Sequence, residues 1–134
     1  MTFSRMRATS AALIGVAAIG SSGIARADIK DFEFHLVDTK TKKGDGVIVA
    51  VRLVDRRTSK PVSGAVIFAK RIDMAPENMP TMTAPLEALP STDPGVYRFK
   101  TNLAMEGRWQ LSLGAKVLGE TGTVENRLVI QATP

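Results

Sequence analysis

At 134 residues, with 18 Lys and Arg against 13 Asp and Glu, the chain has room for one domain of ordinary size. It holds no cysteine, which excludes disulfides, thiolate metal sites and cysteine nucleophiles. Three of its basic residues, Arg5, Arg7 and Arg26, fall in an N-terminal segment expected to be removed, so the working protein carries a net charge of +2 and no basic run longer than Lys42-Lys43 or Arg56-Arg57. Nucleic-acid binding is thereby disfavoured, because it needs a clustered basic stripe with interleaved aromatics. The aromatic residues here, Phe32, Phe34, Phe68, Phe99, Tyr97 and Trp109, mostly fall at core-like positions.

The first element in chain order is a leader. Arg5 and Arg7 precede the apolar stretch Ala11 to Ile19, and Ala25-Arg26-Ala27 presents small residues where a signal peptidase reads them. Cleavage after Ala27 is expected, which leaves residues 28–134 as a single domain in the periplasm. The apolar run, diluted by Gly15, Gly20 and Gly23, falls short of the ~20 residues a membrane span needs, so the mature form is read as not membrane-spanning.

Period-2 alternation then dominates. Phe32, Phe34 and Leu36 share one face of a first strand, with Asp31, Glu33 and His35 on the other. Thr39 to Gly46 reads as a polar turn. Val47, Val49, Val51 and Leu53 give the inward face of a second strand. Arg56 to Pro61 makes another turn, and Ala65 to Lys70 a third strand. Five of the seven prolines lie between Asp73 and Gly95, so no regular central strand can run there, and at most a short edge strand near Thr83 to Leu89 is expected. After the turn Asp93-Pro94-Gly95, Tyr97, Phe99 and Leu103 alternate. Trp109, Leu111, Leu113 and Ala115 follow beyond Gly107, and a last strand offers Val124, Leu128 and Ile130. About seven strands at this spacing predict an all-β fold, an immunoglobulin-like β-sandwich preceded by a signal peptide.

The order of several short phrases resembles the YtkA-like/FixH-like family of small exported or membrane-anchored bacterial domains. These are Val47-Ile48-Val49-Ala50-Val51, Lys60-Pro61-Val62-Ser63-Gly64-Ala65-Val66, Met79-Pro80-Thr81-Met82, Pro94-Gly95-Val96-Tyr97 and Gly107-Arg108-Trp109-Gln110-Leu111. The resemblance implies a periplasmic or cell-surface sandwich whose relatives occur beside copper-handling, metal-efflux and oxidase-assembly proteins. Two departures stand out. FixH proper keeps its N-terminal helix as an anchor, and the loop here lacks the histidines that often accompany methionines in metal-binding relatives.

Met74, Met79 and Met82 lie within nine residues of a proline-rich stretch. Thioether sulfur is a soft ligand that does not titrate, so such residues suit Cu(I) in an oxidising compartment, with Met79 and Met82 as primary ligands and Met74 assisting. The competing reading is that flexible methionines plug the open end of the sandwich. Met105, in a separate turn, fits either role. His35, the single histidine, could join a mixed copper site, or simply be solvated on the polar face of its strand. Asp73 and Glu77 flank the methionines and could hold a harder ion. No nucleophile elbow, paired-carboxylate signature or phosphate-cradling loop emerges, so the domain is expected to be non-enzymatic. The expected roles are copper capture in periplasmic metal handling or oxidase assembly, or a metal-free interaction module that binds an envelope protein partner through a sheet edge.

Overall fold

The computed structural model describes residues 28–134, a two-sheet sandwich of immunoglobulin-like type; the expected leader, residues 1–27, lies outside the described residues. Asp28 caps a short 3-10 turn, Ile29–Asp31. The strands are β1 (Phe32–Leu36), β2 (Lys40–Lys42), β3 (Gly44–Asp55), β4 (Lys60–Pro61) and β5 (Val66–Met74), followed by β6 (Met79–Ala84), β7 (Leu86–Leu89), β8 (Val96–Leu103), β9 (Gly107–Lys116) and β10 (Val124–Thr133). One sheet runs β1-β3-β8-β7 with β4 beside β3, and the other runs β2-β10-β9-β5-β6. Seven of these strands form the expected frame, and β2, β4 and β6 are short additions to it.

The inward set follows the alternation closely. Phe32, Phe34, Val49, Val51, Leu53, Phe99, Leu103, Trp109, Leu111, Leu113, Ala115, Val124 and Ile130 are all buried in one cluster. Burial of this set holds the two sheets together, since each apolar side chain removed from water contributes roughly 1.5–3 kcal/mol. Trp109 satisfies its one polar atom locally, its Nε1 donating to the Met105 carbonyl at 3.0 Å.

Three expectations are corrected. The stretch from Thr39 to Gly46 is not simply a turn: Lys40–Lys42 crosses to the second sheet and pairs in parallel with β10 before the chain returns to start β3 at Gly44. The proline-rich region holds two short edge strands rather than at most one, β6 on β5 and β7 on β8, with Pro85 at the break where the chain changes sheets. Proline is tolerated there because an edge position or a strand end does not need its missing N–H. Phe68 is not a core residue. The β5 register shifts between Ile67 and Ala69, and this bulge turns Phe68 outward, 55% exposed, over Gly114 of β9, where a Cβ would lie 3.3 Å from the Phe68 ring.

Two phrases far apart in sequence form one lock. The Tyr97 hydroxyl accepts a hydrogen bond from Ala65 N at 3.0 Å and donates to the Val62 carbonyl at 3.0 Å. Gly95 N donates to Ser63 Oγ at 3.1 Å, and the Gly95 carbonyl accepts from Leu53 N at 2.8 Å. Gly95 sits at φ 73°, and a Cβ there would come within 2.6 Å of the Pro61 Cβ, so only glycine fits. Pro61 to Ala65 and Pro94 to Tyr97 are thus the two halves of a corner that sets the start of β5.

Candidate functional site

The methionines converge at the corner where β5 turns into β6. Met74 and Met79 are direct cross-strand partners, and Met82 lies three residues further along β6. A 3-10 turn, Ala75–Glu77, joins the strands, and Asn78 in the left-handed region closes it. Met74 is a core residue, 1% exposed, with its methyl group against Gly107. Met79 and Met82 are half-buried and pack onto the same core. The prolines of this stretch do not keep Met74 out of the core, because Pro76 and Pro80 fall after β5 has ended and on an edge strand.

The acidic neighbours are engaged. Asp73 accepts from Arg71 Nε at 2.7 Å and from the Ala75 N–H at 2.9 Å. Glu77 accepts from the Arg108 backbone N–H at 2.9 Å and from Arg108 Nε at 3.1 Å. The Arg108 guanidinium, and then its backbone N–H, hold the Glu77 carboxyl below its ordinary pKa. Neither carboxylate is a free ligand for a hard ion. His35 stands on the solvent face of β1, with Nε2 at 2.8 Å from Glu33 Oε1. β1 is the edge of the first sheet that lies over β10, whereas β6 is the far edge of the second sheet, beside β5 and β8. The structure therefore sets Met74 and Met79 side by side across β5 and β6, with Met82 three residues along β6, and leaves His35 at the opposite edge. Among the described residues, no group of three or more His, Asp or Glu is arranged to hold a metal.

A second feature lies on β5 itself. β6 pairs with β5 only at Ile72, Asp73 and Met74, so Val66–Arg71 has β9 on one side and no strand on the other. Gly44–Val49 of β3 and Val124–Ile130 of β10 likewise have a strand on one side only, whereas the outermost strands are blunted by devices that natural sheets use. Asn126 crosses from β10 and accepts from Phe34 N at 2.7 Å on β1; β2 is three residues long with Lys at both ends; β6 contains Pro80; and β7 is four residues bracketed by Pro85 and Pro90. Beside the open half of β5 lies a slot of about 280 Å³ between the sheets, lined by Ile67, Lys70, Ala88, Leu89, Val96 and Phe99 among others. On the outer face of the same run Val66 and Phe68 leave more than half of their surface to water, and Leu118, packed on Gly64, is exposed as well. The signal in the sequence was the apolar run Val66 to Phe68 followed by a lysine at an inward position. Alternation alone does not show which neighbour a strand lacks.

Sheet order, corner and edge define an immunoglobulin-like sandwich. The YtkA-like family model matches residues 26–114, two thirds of the chain, and the chain belongs to that family. No curated protein matches it. Among solved structures, the Lin-41 filamin domain is similar at a TM-score of 0.47 and 13% identity, over 81% of this chain and 95% of that one. The ZirS C-terminal domain is similar at 0.44 and 12% identity, over 100% of this chain and 81% of that one. No described helix is long and apolar enough to cross a membrane.

Proposed function

We propose that this YtkA-like domain is a non-catalytic binding module of the bacterial envelope, which takes up an extended segment of a protein partner on the open half of β5. One observation carries the reading: Val66–Arg71 is an unpaired, proline-free edge run that borders an apolar slot and carries two exposed apolar side chains, Val66 and Phe68. Strand addition draws affinity from main-chain hydrogen bonds and specificity from pockets for alternate side chains, and both are present here. The non-catalytic part is supported by the engagement of Asp55, Asp73 and Glu77 with arginines, and by the exposed position of His35.

Random ten-residue peptides displayed on phage and selected on the purified protein test this. Selected peptides should lose binding when alternate backbone amides are N-methylated in one phase and keep it in the other, because only one row of donors faces the edge. Equal tolerance of both phases, or no selectable peptide, would end the reading.

A second reading is Cu(I) capture, favoured by the cross-strand pairing of Met74 with Met79 and the nearness of Met82. Met79 and Met82 are the half-buried members and so the accessible ligands, with Met74 supporting them from the core. Titration with Cu(I) against a competing chelator should give sub-micromolar affinity that Met79→Ala with Met82→Ala abolishes. Affinity weaker than micromolar, or unchanged in the double variant, refutes it.

A further inference from the structure

Resting on the strand-addition reading, we infer that the segment received by β5 is acidic: an extended stretch with a carboxylate side chain opposite Lys70 and an apolar side chain entering the slot. Lys70 is the informative residue. Its ladder partner is Leu113, whose side chain is buried, so Lys70 stands on the inner face of β5, where its neighbours Ile67 and Ile72 are apolar. A charge aimed inward at a sheet edge is a device against indiscriminate pairing, because an arriving strand would bury it. Here it is exposed and faces the slot. No carboxylate lines the slot, and among the described residues Lys70 has no acidic partner within 4 Å.

An added strand would project every second side chain into the slot. The residue directly opposite Lys70 would approach it as a cross-strand pair, where opposite charges attract and like charges repel. Lys70 therefore rejects neutral or basic edges and accepts an acidic one, so the barrier to promiscuous pairing becomes the selection for a partner. The apolar requirement follows from Ile67, Ala88 and Phe99 on the walls.

The test uses peptides selected from the phage library and measures their binding by fluorescence anisotropy. Peptides should carry Asp or Glu flanked at alternate positions by aliphatic residues, and replacing that acid with Lys should weaken binding by tenfold or more. Against Lys70→Glu protein the order should invert, the Lys peptide now binding better; position 70 is exposed, so the variant should fold as the parent does. Peptides that show the N-methylation phase but no preference for an acid, or whose preference survives Lys70→Glu, overturn the acidic inference and leave strand addition standing. Peptides without the N-methylation phase overturn both.

Discussion

Tyr97 ties two stretches of chain together through one hydroxyl, and it shows how single atoms set this fold. Replacing Tyr97 with Phe leaves the Ala65 N–H and the Val62 carbonyl without their partner, at a cost of about 1–3 kcal/mol, measured as a lowered urea midpoint with unchanged slope. Thr101 predicts the opposite sign. It is buried in the core, and its hydroxyl has no partner among the described residues, so Thr101→Val exchanges an unsatisfied polar atom for a methyl group and should raise stability by about 1 kcal/mol. Met74→Ala removes a fully buried side chain and should cost about 2–5 kcal/mol whether or not copper is present, which separates its packing role from any ligand role.

The acid limb of stability also belongs to particular residues. The Asp55 carboxyl is held below its ordinary pKa chiefly by the Arg57 side chain, at 3.0 Å between Oδ2 and Nη2, and Glu77 is held down by Arg108. A carboxylate whose pKa is lowered by folding adds stability above its unfolded pKa, near 4, and loses it as pH falls through the folded value. Denaturant midpoints should therefore be level from pH 5 to 7 and decline below about pH 4. The decline should shrink in the Asp55→Asn, Glu77→Gln double variant, which starts from a lower plateau.

At the scale of elements, β3, β8, β9 and β10 were legible because their inward apolar residues recur with period 2 and most of them are buried. The elements that sequence reading missed are those decided by distant neighbours. Lys40–Lys42 has no apolar pattern at all, and it is a strand only because β10 offers it an edge. Phe68 matched the core pattern, and a one-residue bulge reversed its facing, a change that periodicity cannot register. The prolines correctly limited β6 and β7 to edges, although their number was hidden because Pro85 both ends one strand and precedes the next. Of the methionines, proximity was legible and burial was not: whether Met74 lies inside depends on where β5 stops. The edge of β1 rests on one side chain. Asn126→Ala should free the Phe34 amide, and hydrogen exchange should then speed at Phe34 far more than at Val51 in the same sheet.

At the scale of the molecule, a sandwich that blunts its outermost strands leaves pairing to inner stretches that lack a neighbour, and Val66–Arg71 of β5 is the one flanked by both an apolar slot and exposed Val66 and Phe68. Capping by Asn126, the lysines of β2, and the prolines around β6 and β7 keep the domain from joining other sheets at random. The open half of β5, with a lysine where a gatekeeper would stand, is then the position from which a partner can be chosen. Copper capture would instead place the function at the methionine corner, at the other end of β5, so the two readings predict changes at separate places.

Residue-resolved amide hydrogen exchange, with and without a saturating selected peptide, tests the central claim most directly. Strand addition predicts that alternate amides of Val66–Arg71 exchange fast in the free protein and are slowed at least tenfold by the peptide, while those of β1 and β6 are unchanged. Protection that falls on β6 or the β8–β9 turn, with Val66–Arg71 unaffected, would contradict it.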